Sequence, residues 1–161
     1  EIGVRLVGSE MCIRDRFYLA LNPGEPVKPL ENIASGGELS RIMLAIKTVL
    51  ADAEDTPTLI FDEIDAGISG VTAAKVGEKL KQIGKSRQVI CITHLSQIAA
   101  VADSHFLIEK SAENESVKTR IRLLNEEDSV KELARILGGD KITSSIMESA
   151  REMKEMAKSE I

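Results

Sequence analysis

Pro57-Thr58-Leu59-Ile60-Phe61-Asp62-Glu63 is the stretch that decides the fold. Four apolar or β-branched residues stand between a proline and two acids. A run this short reads as a buried strand, because a helix needs more length. Its carboxyl end carries the acids, and open α/β sheets collect ligands at that end. Successive strand residues face opposite ways, so Asp62 and Glu63 are free to do different work. Asp62 suits Mg²⁺ held through water, since that ion sheds its hydration reluctantly. Glu63 suits proton abstraction from an attacking water, a role worth about 10²–10⁴ in rate. The competing reading is two acids that cap the next loop.

Working outward, Ser35-Gly36-Gly37-Glu38 ends 20 residues before Thr58. Leu39, Ile42, Met43, Ile46 and Leu50 recur at helical spacing behind it, predicting an amphipathic helix over about Gly37–Ala51. Two glycines before a helix let backbone approach an anion, and the helix start offers free N–H groups and a positive dipole end. With the Ser35 hydroxyl added, a phosphate is the natural ligand. A plain glycine turn with a serine cap would look the same. On the other side, a loop with Gly67 and Gly70 leads to a helix near Val71–Ile83, with Val76, Leu80 and Ile83 on one face. A second buried strand follows at Val89–Ile92. His94 comes 31 residues after Glu63, just past that strand, which places it beside Glu63 at the sheet edge. There it could touch a terminal phosphate or orient water; alone it would be an ordinary loop histidine. Gly84-Lys85-Ser86 imitates the end of a P-loop, but position 79 is lysine where glycine is required, and a helix precedes it where a strand should.

The remaining segments fit around this centre. Phe17–Leu21 reads as a short strand ended by Asn22-Pro23-Gly24, with Pro26 and Pro29 keeping the next stretch extended. Asp52–Pro57 is a polar break. Leu95–Ala102 reads as a short helix. His105–Glu109 and Lys118–Leu124 read as a hairpin around an exposed Ala112–Ser116 loop, and His105 itself as structural. Ser129-Val130-Lys131-Glu132 fits a capping box that opens a helix with Val130, Leu133, Ala134 and Leu137 inward, stopped at Gly138-Gly139. A charged helix closes the chain over about Thr143–Lys158. Alternating strands and helices imply an α/β fold with parallel strands and helical crossovers, the hairpin and last helices lying at the edge.

Composition narrows the function classes. The chain has 161 residues, a net charge of -5, 2% aromatic residues and no Trp. An acidic chain without aromatic platforms is a poor grip for nucleic acid on its own. No stretch approaches the roughly 18–20 apolar residues of a membrane span. Cys12 and Cys91 carry no disulfide or zinc pattern, and Cys91 reads as a buried thiol, which fits a reducing, cytoplasmic setting.

Taken together, these motifs resemble the C-terminal lobe of ATP-binding-cassette ATPase heads in SMC-like proteins. Ser35–Glu38 matches the signature motif, with Glu38 where transporters usually carry Gln. Thr58–Glu63 matches Walker B, Ala66-Gly67-Ile68-Ser69 occupies the D-loop with Ser69 where many relatives have Asp, and His94 matches the switch histidine. Over about residues 17–158 the chain is similar to the RecN family of bacterial DNA repair proteins. Asn22–Pro26, Ile33–Arg41, Phe61–Gly70, Thr93–Leu95 and Glu132–Gly139 carry that similarity. Residues 4–16 resemble a translated sequencing adapter, so residues 1–16 are expected to be a non-native leader and residues 17–161 the lobe.

The resemblance implies a P-loop NTPase head split along the polypeptide, with Walker A in an N-terminal lobe beyond a coiled coil. It implies ATP and Mg²⁺ held between two heads of a homodimer. Asp62, Glu63 and His94 would serve one nucleotide, while Ser35, Gly36, Gly37 and Glu38 reach the phosphates of the other. It further implies ATP hydrolysis and head dimerisation in double-strand-break repair and recombination. DNA would be reached through the complete protein, in the bacterial cytoplasm at the nucleoid and with no membrane. A lobe without Walker A is expected to be inactive alone. A non-catalytic, nucleotide-gated dimerisation module is the alternative.

Overall fold

Tyr18–Leu19 (β1) pairs antiparallel with Lys28–Pro29 (β2), and a single 3-10 turn follows at Leu30–Asn32. These elements belong to the first of two units, Glu1–Ser35. The computed structural model describes residues 18–20, 24–32, 35–50, 56–113 and 116–159. The leader expected over residues 1–16, the outer residues of the Phe17–Leu21 strand, most of the Asn22-Pro23-Gly24 turn and most of the Asp52–Pro57 break lie outside them. The first strand does not enter the parallel sheet foreseen from strand–helix alternation. It pairs locally with β2, where Pro26 and Pro29 hold the returning segment extended.

The second unit, Gly36–Ile161, holds the parallel pair. Helix α1 spans Gly36–Val49, Thr58–Phe61 forms β3, α2 spans Gly70–Gly84, and Gln88–Cys91 forms β4. β3 and β4 are parallel, with Phe61 opposite Cys91. Leu59 and Phe61 on one sheet face meet Val76, Leu80 and Ile83 of α2, along with Leu44, Ile64 and Ile98, in the main core. The inward stripe read for α2 is therefore correct. The other sheet face is open: Ile60 is 68% exposed, and Ile90 and Ile92 are also exposed. So neither strand is buried on both faces, contrary to the reading of their apolar runs. Helix α1 departs in the same way. Leu44 is its buried anchor, whereas Leu39 and Met43 of the predicted stripe line an open groove of about 300 Å³ against Ile60. Gly84 closes α2 and Lys85–Arg87 turn into β4, so the P-loop look-alike is a helix end.

Short helix α3, Ser96–Ala100, leads to a hairpin of β5 (Phe106–Glu113) and β6 (Ser116–Leu123). The hairpin is longer than its sequence reading. Glu113 pairs with Ser116, so the strands consume most of the expected loop. Phe106 faces Leu123 and Ile108 faces Ile121, and all four are exposed. Helix α4, Glu126–Gly138, begins four residues earlier than the capping-box reading. Asn125 is the N-cap, its side chain accepting the Asp128 N–H at 2.8 Å. Ser129 is instead a buried helix residue 2.8 Å from His105 Nδ1. The short Asn side chain satisfies the helix start one turn earlier than Ser129 could. Gly139 has φ +63° and gives its N–H to Arg135 O, ending the helix as its sequence suggested. Helix α5, Ser144–Ser159, packs on α4 and α3 around Leu133, Ala134, Ala150, Ala99 and Ala100.

Buried Lys154 of α5 donates to Ala100 O at 3.1 Å and Ala102 O at 2.9 Å, capping α3. Beside it, burial pushes the His105 imidazole below its ordinary 6.5, helped by the Lys154 charge and opposed by Glu132. The unfolded chain then binds more protons than the native one between the two pKa values, so stability falls as pH drops below 6.5. Urea melts at pH 7.5 and pH 5 should show a smaller acid loss for His105→Gln than for the parent chain; equal losses would acquit His105.

Candidate active site

The carboxyl ends of β3 and β4 lie side by side, with Asp62 and Glu63 just beyond the first and His94 just beyond the second. Asp62 and Glu63 follow β3 and are exposed. Asp62 Oδ1 accepts the Glu63 N–H at 2.9 Å, fixing one oxygen of this carboxylate. Glu63 has φ +56° and is the only non-glycine with positive φ among the described residues. Such a conformation costs on the order of 1–3 kcal/mol and persists only where neighbours over-determine it.

Helix α1 supplies those neighbours. Ser40 Oγ donates to Asp62 O at 3.0 Å. Arg41 Nη1 donates to Ile64 O at 3.1 Å and Ala66 O at 2.8 Å. Ala66 N–H closes the turn on Glu63 O at 3.0 Å. The two glycines at the helix start permit the approach. A Cβ on Gly37 would stand 2.8 Å from Ala66 Cβ and 2.9 Å from Glu63 O, and one on Gly36 would stand 2.9 Å from Glu63 Oε2. Gly36 and Gly37 thus pack against the turn of the acids in their own chain, a role that sequence spacing did not reveal. Ser35 is exposed just ahead of α1, and Glu38 is half-buried in its first turn.

His94 lies at the same sheet edge, but its partner is Asp65. His94 Nδ1 is 3.0 Å from Asp65 Oδ2, and the same oxygen accepts the His94 N–H at 2.8 Å and the Thr93 hydroxyl at 2.6 Å. Asp65 is 3% exposed, whereas the His94 ring is open to solvent. Burial would raise the Asp65 pKa, yet the Thr93 hydroxyl, the His94 N–H and the His94 charge hold it below the usual carboxylate range. Nδ1 being engaged, Nε2 is left to face outward. Sequence reading missed Asp65, whose one mark in the sequence is its place two residues after Glu63. Cys91 is a half-buried free thiol pushed up to about 12 by burial, with Asp65 and Asp62 adding to the shift.

No group of three or more His, Cys, Asp or Glu that could hold a metal occurs among the described residues. One exposed carboxylate at a strand end suits Mg²⁺, which takes one or two protein oxygens and completes its shell with phosphate and water. Among the described residues, no helix is long and apolar enough to cross a membrane.

The fold is that of a lobe of an SMC-type ATPase head. In three dimensions the chain matches one solved in work on ATP-driven dimerization and DNA-stimulated activation of SMC ATPases, with a TM-score of 0.50, 28% identity, and 73% of this chain and 70% of that one covered. In sequence it is 47% identical to DNA repair protein RecN of Halalkalibacterium halodurans over 89% of its length. The RecN of Vibrio cholerae is 46% identical over 85%, and that of Streptomyces coelicolor 39% over 99%. The chain belongs to the RecN family. It spans about a quarter of the length of these curated relatives, between 25% and 28%. No protein-family model matches it.

Proposed function

We propose that this chain is the signature- and Walker B-bearing lobe of an ATPase head that closes on ATP as a homodimer in bacterial DNA double-strand-break repair and recombination. The observation that carries the reading is the pair Asp62 and Glu63, exposed beyond β3 and bound through α1 to the glycine turn. Asp62 would hold Mg²⁺, which supplies charge neutralisation at the phosphates. Glu63 would take the proton of the attacking water, and His94, oriented by Asp65, would face the terminal phosphate through Nε2. Ser35, Gly36, Gly37 and Glu38 would meet the ATP phosphates of the second head.

The open apolar surfaces support a partner lobe carrying Walker A within the same polypeptide. Ile60, Ile90 and Ile92 on the sheet, and Phe106, Ile108 and Ile121 on the hairpin, are far more apolar than a solvated face requires. DNA would be met by the complete protein, in the cytoplasm at the nucleoid, since a net charge of -5 gives this lobe little hold on phosphate backbone.

The test mixes this lobe with a separately made Walker A lobe and measures ATP hydrolysis, with and without Glu63→Gln. Turnover confined to the mixture and lost with Glu63→Gln is expected. Turnover by this chain alone would overturn the split head. A mixture that assembles and binds ATP without hydrolysis would make the chain a nucleotide-gated dimerisation module.

A further inference from the structure

We propose that Arg41 is a positioning residue that ties the glycine turn of α1 to the turn bearing Glu63, so that the proton acceptor and the phosphate-binding helix start move as one body; this rests on the hydrolytic reading above. Four observations converge on that tether. One guanidinium nitrogen reaches two carbonyls of the turn, Ile64 O and Ala66 O. The preceding residue, Ser40, reaches a third, Asp62 O. The carbonyl between them, Glu63 O, is taken by the Ala66 N–H. The segment so held contains the strained Glu63 backbone. Carbonyls 62, 63, 64 and 66 are therefore all engaged, and three of the four bonds come from two consecutive side chains of one helix.

Strain explains why the tether matters. Glu63 at φ +56° would relax toward negative φ if its turn were released, and that rotation would swing the carboxylate away from the helix start. Glycines at 36 and 37 bring the two turns within reach, and Arg41 keeps them there. Ser40 alone holds only the first carbonyl of the turn. The Arg41 hydrogen bonds go to backbone carbonyls of the Glu63 turn, so it acts through Glu63.

The test uses a full-length polypeptide containing this chain and four variants: Arg41→Gln, Arg41→Lys, Glu63→Gln and the Arg41→Gln/Glu63→Gln double. Arg41→Gln should lower kcat by about 10²-fold with KM changed less than about 3-fold, as misplacement of a catalytic group does. Arg41→Lys, whose ammonium can also donate to two carbonyls, should restore part of the loss. The double variant should be no slower than Glu63→Gln alone, because a residue acting through Glu63 has nothing left to position. Amide exchange at Ala66 and Ile68, measured without nucleotide, should quicken about tenfold or more in Arg41→Gln. Unchanged exchange would overturn the tether even where Glu63→Gln abolishes hydrolysis. A further loss in the double variant, or a rise in KM alone, would overturn the positioning role. Turnover that survives Glu63→Gln would overturn the hydrolytic reading instead, and the exchange result would then judge the tether by itself.

Discussion

Glu63→Gln, in a full-length polypeptide containing this chain, should slow ATP hydrolysis by about 10²–10⁴-fold and leave ATP binding in place. The amide keeps the size of the carboxylate but cannot take a proton from water. Glu63 is exposed and lies beside Gly36, so its replacement by an isostere disturbs no core packing. Closed, ATP-bound dimers should accumulate, because closure precedes the step that fails. Ser35→Arg should do the reverse. A long cation at the exposed residue ahead of α1 would obstruct the opposing head, so closure should be lost while one head still binds ATP. Size-exclusion chromatography with light scattering, run with ATP and Mg²⁺, separates the two outcomes. Wild-type turnover in both variants would remove the roles assigned to Glu63 and Ser35.

Asp65→Ala should be the most damaging single change to stability near the site. One buried carboxylate oxygen accepts the Thr93 hydroxyl, the His94 N–H and the His94 ring nitrogen. Removing it takes the shared acceptor from the half-buried Thr93 hydroxyl and the His94 N–H and leaves a gap where the buried carboxylate stood, at a cost of roughly 3 kcal/mol. That corresponds to a fall in Tm on the order of 6–12 °C for a chain of this size. Asp65→Asn should cost less, since one oxygen remains, but its amide N–H groups cannot accept from His94. The pH dependence has a definite sign. With its native pKa held below 3.8, Asp65 stabilises the fold above that pH, and the contribution disappears as pH falls through the native value. Thermal melts of wild type and Asp65→Asn between pH 7 and pH 3 should converge at the acid end. Parallel curves would show that the carboxylate charge contributes nothing.

The two findings differ in how visible they were beforehand. Asp62 and Glu63 stood out because a four-residue apolar run can only deliver its following acids to a strand end. Asp65 did not, since a third acid in a loop has no periodicity to mark it. Its significance appears only when β4 lies parallel to β3 and brings Thr93 and His94 alongside. The start of α4 illustrates the same limit in a local motif. Asn125 and Ser129 both fit a cap, and the choice fell to Asn125 because Ser129 is drawn inward to His105.

By itself, the sequence determined the order and type of the elements from α1 onward, the inward face of α2 and the place of Asp62 and Glu63 beyond β3. These follow from local patterns: apolar period, turn chemistry and strand polarity. Only the tertiary structure decided that Leu44 anchors α1, that Ile60 and Ile90 face outward, that Gly36 and Gly37 pack on the Glu63 turn, and that Asp65 holds His94. Each of these depends on which face meets a segment distant along the chain, and an apolar residue reads the same whether its neighbour is the core or an open groove.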